Sequence, residues 1–506
     1  MTLREILTQC NIDRELYIGT AVLPRPLFVP DFDDDDDNTG FIVDDILDDN
    51  NDDITTNNDD SDDYAKRSKK KRIGCATIST VEPSEYDPSY ETHYARIVSS
   101  EFNSVVIEHH LKWSPLVHTL PGPISQYSPK STRFGRYDFG HVDTIVDWAT
   151  SKQMTIKGHV LVWHVTSPVE LLETMSPREV GSAVKRHIFT TMGYFIDRIM
   201  IWDVVNEALA NDGTLVHNIF YRKMGPNYIS QCFKWAHEAN PNAFLIYNDN
   251  KVEGCGSSSS SSSSSSSTYA NQAKADGFYH LLKTLVDEGI PIHGAGMQAH
   301  FDAAGIGRNK PPTPTMVKRQ IHRIGQLGLK VNISEMDVRV SKLPPPLQEE
   351  QCEHKSVTIK EHSDMVQTTI YRDILTAALS ENCFHGIWFW GFSDRHTWVK
   401  NFYHDDTPLL YDDMYEKKPS YYGVVDALKT TLPVSAEAVD FTDSITIDRH
   451  DNGIKDKVEL FVDDDDKWGC DWMVPEPSSN HHDDKRSNVY CADTTNEGQP
   501  DWLQPS

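Results

Sequence analysis

Eight short runs of β-branched and aromatic residues recur along this chain, each separated from the next by room for a helix, and that rhythm limits the possible folds more than any other feature. The runs are YIGTAV (17–22), NSVVIE (103–108), KGHVLVWH (157–164), IMIWDVVNE (199–207), FLIYND (244–249), GAGMQAHF (294–301), VNISEMDV (331–338) and GIWFWGFS (386–393). Strands alternating with helices build a parallel sheet. Before the last run, Val366, Ile370, Ile374, Ala377 and Ala378 repeat at the spacing of one helix face. Eight such units favour an α/β fold of the closed (β/α)8 type, in which functional groups gather at the C-terminal ends of the strands. An open doubly wound sheet is the competing arrangement, but no GxGxxG or GxxxxGK[ST] loop follows any run. RIGCATIS (72–79) competes with 17–22 for the first position. Choosing 17–22 makes residues 31–72 an insertion in the first βα loop.

The segments between the runs set the domain boundaries. Residues 31–63 carry sixteen Asp and no Lys or Arg, and are followed by KRSKKKR (66–72), a solvated acidic block beside a basic one. Ser257 to Ser267 form an unbroken serine tract that has no means of building a core. PPTPT (311–315) and LPPPLQEEQ (343–351) read as proline-stiffened loops. From 431 onward the sequence is polar and acidic and reads as a disordered tail. The expected organisation is one folded domain over residues 3–430, with insertions at 31–72 and 256–268, and a tail over 431–506.

Charge and hydropathy exclude several partners. The formal charge is −28, and the acidic block of 31–63 accounts for sixteen of those charges, leaving −12 for the rest. Phosphate backbones are bound through clustered Lys and Arg, so nucleic acid is not expected as a partner. No stretch approaches the roughly 18 apolar residues of a membrane span, and MTLREILTQCNIDREL has no apolar core of a secretory signal. The eight cysteines contain no CxxC pair, and the sequence has neither an HExxH nor an HxH pair, so metal chemistry is disfavoured.

The ends of the runs carry the chemistry. Side chains on a strand alternate faces, so His159 shares a face with Trp163, Gln298 with His300, Glu335 with Asp337, and Trp388 with Trp390 and Asp394. Asn206 and Glu207 end the fourth run, and Glu335 lies near the end of the seventh. A carboxylate left uncompensated at such a place costs several kcal/mol, so it is either paired or used. Two carboxylates across a cleft lined by Trp suit glycosidic-bond cleavage, one protonating the leaving oxygen and one meeting the oxocarbenium-like carbon. Amide and imidazole groups such as Asn206, Gln298, His159 and His300 can then bind hydroxyls. Taken singly, each has a plainer reading: a paired Glu, a hydrogen-bonded core His, a packing Trp. The weight lies in their coincidence at the strand ends.

The motifs GHVLVWH, WDVVNEAL, YNDN, GAGMQAHF, ISEMDV and WFWGFSD, flanked by TLREIL and KKPSYYGVV, resemble in order those of glycoside hydrolase family 10, the endo-1,4-β-xylanases. The resemblance implies a TIM barrel and a retaining, cofactor-free double displacement on xylan or a related β-linked glycan. It implies Glu207 as acid/base, with a raised pKa, and Glu335 as nucleophile, with Asp337 and His300 orienting Glu335. Lys112, His159, Trp163, Asn206, Gln298, Trp390 and Trp398 match positions lining the sugar at the cleavage point, and Glu108 with Lys112 extends the site to the next sugar. The sequence departs from the family pattern at His109 (for Asn), Thr166 (for Gln) and Asn250 (for an aromatic), which puts glycan preference in doubt. The rival readings are a retaining hydrolase of another β-glycan and a glycan-binding barrel that has lost catalysis. The protein is expected to act as a monomer outside the cell, although no signal peptide is visible, which leaves an incomplete N-terminus or another route.

Overall fold

The computed structural model describes residues 1–10, 14–28, 91–119, 134–256, 269–305, 307–345, 358–403 and 405–433. The competing run at 72–79, most of the two insertions and the tail from 434 onward lie outside the described residues. Eleven strands are found among those described: β1 (Tyr17–Val22), β2 (Ser104–Ile107), β3 (Val117–Thr119), β4 (Phe134–Tyr137), β5 (Thr155–Gly158), β6 (Ile201–Asn206), β7 (Phe244–Asp249), β8 (Gly294–Met297), β9 (His300–Asp302), β10 (Lys330–Arg339) and β11 (Phe384–Phe389).

Eight of them close into the expected barrel. Their order is β11-β1-β2-β5-β6-β7-β8-β10, and β10 pairs again with β11 to complete the ring. Every pairing in the ring is parallel, and β1 sits between the last and second staves, with Ile18 opposite Ile387 and Thr20 opposite Val105. The short β9 runs beside the upper half of β10, placing His300 opposite Asp337. Strands β3 and β4 form a separate antiparallel pair.

The barrel interior is packed, as the β-branched runs require. Tyr17, Ala21, Val106, Ile201, Ile246, Trp388 and Trp390 form one buried cluster. Trp388 fits only because residue 19 is glycine: a Cβ there would lie 2.2 Å from its Cδ1. On the outer face, the helix Ile359–Leu379 buries Ile370, Ile374, Ala377 and Ala378 of the predicted stripe, while Val366 is only half-buried, and Thr358 with Glu361 caps its start reciprocally.

Four readings need correction. The third run leaves the sheet at Gly158, so His159 and Trp163 do not share a strand face; residues 160–163 are buried all the same, and Val162 makes only an isolated bridge to Val205. The sixth run breaks between β8 and β9, where Ala299 adopts a φ of 68°. PPTPT is not all loop: Thr313 caps a helix that begins at Pro314, a position that needs no backbone N–H. Asp394 does not join Trp388 and Trp390 at the strand end. Gly391, with a φ of 98°, turns the chain, and Asp394 pairs with Lys418 (2.8 Å) while accepting the Leu409 N–H (2.8 Å).

Candidate active site

Several strand ends bring polar residues to one place. Glu335 stands on β10, 4% exposed, with Asn248 Nδ2 donating to its Oε1 at 2.7 Å and His300 Nε2 at 3.2 Å from its Oε2. The same Asn248 amide reaches Asn206 Oδ1 at 2.9 Å. Gln298 Nε2 lies 3.3 Å from Asn206 Oδ1 and donates to Glu207 Oε1 at 2.7 Å. Side-chain hydrogen bonds thus join Glu335 and Glu207 through Asn248, Asn206 and Gln298. Trp163 Nε1 donates to the other Glu207 oxygen at 2.9 Å.

Glu207 follows the last residue of β6 in a left-handed backbone conformation, φ 53°, with its N–H on the Asn248 carbonyl at 3.0 Å. A non-glycine residue there costs about 1–3 kcal/mol and persists only where its surroundings hold it. That turn takes Glu207 out of the strand, and its carboxyl meets Gln298 and Trp163.

Electrostatics act strongly on Glu335 and its histidine. Burial pushes the Glu335 carboxyl up, but the His300 hydrogen bond and the charges of His159, His300 and Lys157 outweigh it and hold the group at about 2. Burial disfavours the His300 cation, but Asp337, 2.7 Å from Nδ1, and Glu335 outweigh it and raise His300 to about 10. Asp337 also accepts Trp398 Nε1 at 2.8 Å. Beneath these groups, fully buried Asp203 pairs with Lys157 and holds His159 Nδ1 at 2.8 Å. The His159 ring stands edge-on to Trp390 at 5.2 Å.

The rest of the predicted site converges on the same cleft. Lys112 Nζ lies 5.0 Å from the Trp163 ring and 5.9 Å from the Trp390 ring. Burial lowers its ammonium, with Glu108, Glu335 and Glu207 opposing. Glu108 is pushed up to about 7 by burial, which Lys112 opposes while Glu335 and Asp337 add to it. His109 is pulled down to about 3 by burial and by Lys112. Thr166 is buried, its carbonyl accepting the Ser114 N–H at 2.9 Å, and Asn250 accepts from Lys274 at 2.6 Å. Among the described residues, no group of three or more His, Cys, Asp or Glu side chains is arranged to hold a metal ion, and no helix is long and apolar enough to cross a membrane.

Asn248 is the site residue that the sequence reading did not single out. It is the next-to-last residue of β7 and lies opposite Asn206, the last residue of β6, and a polar residue near that strand end was the available signal. Its place is built by neighbours: Ser334 Oγ donates to its Oδ1 at 2.6 Å, and Gly296 makes room, since a Cβ there would lie 2.2 Å from that oxygen.

Comparisons with known proteins agree with this fold. The model of the family described as glycosyl hydrolase family 10 matches residues 62–427. Endo-1,4-beta-xylanase B of Thermotoga neapolitana is 30% identical over 341 residues, covering 67% of this chain and 84% of that protein. A beta-1,4-xylanase of Dictyoglomus thermophilum is 30% identical over 347 residues, covering 66% and 84%. Among solved structures, xylanase 10B from Thermotoga petrophila in complex with xylobiose superposes with a TM-score of 0.54 at 30% identity, covering 67% of this chain and 88% of that one.

Proposed function

This chain belongs to glycosyl hydrolase family 10, and from that membership we propose that it is an endo-acting β-1,4-xylanase working by retaining double displacement. The observation that carries the reading is the hydrogen-bonded link from Glu335 through Asn248, Asn206 and Gln298 to Glu207. Two carboxyl groups in one indole-lined cleft suit a reaction that needs one acid and one nucleophile. The relatives named as xylanases support xylan as the substrate.

In the first step Glu207 gives its proton to the glycosidic oxygen as the C–O bond breaks, and Glu335 bonds to the anomeric carbon. In the second, ionised Glu207 takes a proton from water, whose oxygen displaces Glu335, so two inversions restore the β configuration. The low pKa of Glu335 suits a group that must be ionised to attack, and the His300 cation bridging it to Asp337 fixes its orientation. Asn206 Oδ1 accepts two bonds from the protein, leaving its NH2 for a sugar hydroxyl. Lys112 between the Trp163 and Trp390 rings, with Glu108, would bind the glycone. Asp337, His159 and Trp398 complete the surround. The catalytic unit is taken as residues 3–430, acting as a monomer. A polymeric substrate favours action outside the cell.

Glu207→Gln and Glu335→Gln test the assignment. Each is expected to lower xylan hydrolysis by at least about 100-fold with the fold intact. Unchanged activity in either variant would remove the reading. A panel of soluble β-glycans assayed beside xylan separates this substrate from its rivals, and β-xylose appearing first by NMR marks retention.

A further inference from the structure

Glu207 owes its direction to a backbone turn, and that turn has its own buried support. The N–H of Ala208 donates to the Tyr247 hydroxyl at 3.2 Å, and that hydroxyl donates to Asp249 Oδ2 at 2.5 Å. The N–H of Leu209 donates to the same oxygen at 3.2 Å. The other Asp249 oxygen is 2.9 Å from Lys274 Nζ, which also reaches Asn250 Oδ1 at 2.6 Å. Tyr247 and Asp249 are fully buried and Lys274 is 3% exposed.

We infer that the Asp249–Lys274 ion pair, through Tyr247, is a clamp that holds the left-handed turn at Glu207 and so aims its carboxyl at the leaving-group oxygen. Three facts argue for it. The two N–H groups that follow Glu207 both end on this unit, and a strained φ of 53° needs such restraint. Burial pushes the Asp249 carboxyl up, and the Lys274 cation opposes this together with the Tyr247 hydrogen bond. Lys274 also comes from a different element, the helix Gln272–Asp287, so the clamp ties the turn to the outer layer of the barrel. Lys274 touches none of the groups assigned to the reacting sugar. Its role is positioning, carried through Asp249.

This inference rests on Glu207 being the acid/base, and the leaving group can separate the two. Phenyl β-xylobioside needs a proton on its departing oxygen, whereas 2,4-dinitrophenyl β-xylobioside releases its phenolate without one. Glu207→Ala should cut kcat/KM on the first substrate and leave the second nearly unchanged. If it shows no such split, the acid/base assignment falls and the clamp falls with it. Given that split, Lys274→Met is expected to lower kcat/KM on the phenyl glycoside by about 100-fold. On the dinitrophenyl glycoside it should change by less than about threefold. Equal losses on both substrates, or a lowered melting temperature with both rates intact, would show a purely structural lysine and overturn the clamp. Should Lys274→Met fail to fold, Tyr247→Phe, which removes one hydroxyl and strands no charge, carries the same test with an expected loss of about 10-fold on the phenyl substrate alone.

Discussion

Asn248 Nδ2 lies 2.7 Å from Glu335 Oε1 and 2.9 Å from Asn206 Oδ1, so one amide group on β7 steadies the proposed nucleophile and the neighbour of the proposed acid together. Hydrogen bonds to charged groups contribute about 1.5–3 kcal/mol, and Asn248→Ala should therefore lower kcat on xylan about 10- to 100-fold. KM should move little, because Asn248 is fully buried behind the two residues it supports. Steady-state kinetics check this, and a rise in KM with unchanged kcat would place Asn248 in substrate binding instead.

The same amide can be displaced without being mutated. A Cβ on Gly296 would come 2.2 Å from Asn248 Oδ1 and 3.1 Å from its Cγ, so Gly296→Ala should push the side chain off Glu335. The expected result is a folded protein with kcat reduced as in Asn248→Ala, and with the double variant no worse than either single change, since both act on one contact. Additive losses in the double-mutant cycle would count against this.

The His300 bridge has a pH signature. Glu335 is held at about 2 against an ordinary 4.5, so its contribution to stability is present above 4.5 and lost as pH falls through about 2. His300 is held at about 10 against 6.5, so its contribution is present below 6.5 and lost as pH rises through about 10. His300→Gln should erase the alkaline loss. It should also move the acid limb of kcat/KM upward, toward the ordinary carboxylate range. Thermal melts and a pH–rate profile measure the two effects separately.

Glu108 gives a slope opposite in sense to that of Glu335. Its carboxyl is raised from 4.5 to about 7, so the folded protein binds the proton more tightly and stability falls as pH rises through that window. Glu108→Gln should flatten the melting temperature between pH 5 and 7. A slope identical to that of the parent protein would mean that Glu108 ionises as it does in water.

The barrel was legible because the sequence alternates the right runs, and β1 and β7 begin and end where their residues predict. Strand ends were harder to read. HVLVWH stays apolar beyond Gly158 because it remains buried after leaving the sheet, so burial and β pattern give the same signal there. Face alternation placed Asp394 at the cleft, but that rule holds only while the chain is a strand, and Gly391 ends it. Glu207, Glu335, His300, Trp163 and Trp390 stood out because polar and aromatic groups at the ends of apolar runs demand a reason, whereas Glu108, Lys112 and Trp398 came only from the family resemblance. Asn248 escaped because its reason is a contact between β7 and β10, which lie 87 positions apart at Asn248 and Glu335.

The placement of Tyr17–Val22 between β11 and β2 has a practical consequence. The family match begins at residue 62, so a truncation cut to that boundary would delete one stave of the cylinder. Two raw strand edges would then face water, each offering unpaired amides to another chain, and such edges nucleate aggregation. During synthesis the same stave must wait for its second partner until residue 389 has been made, which makes ring closure one of the last events in folding.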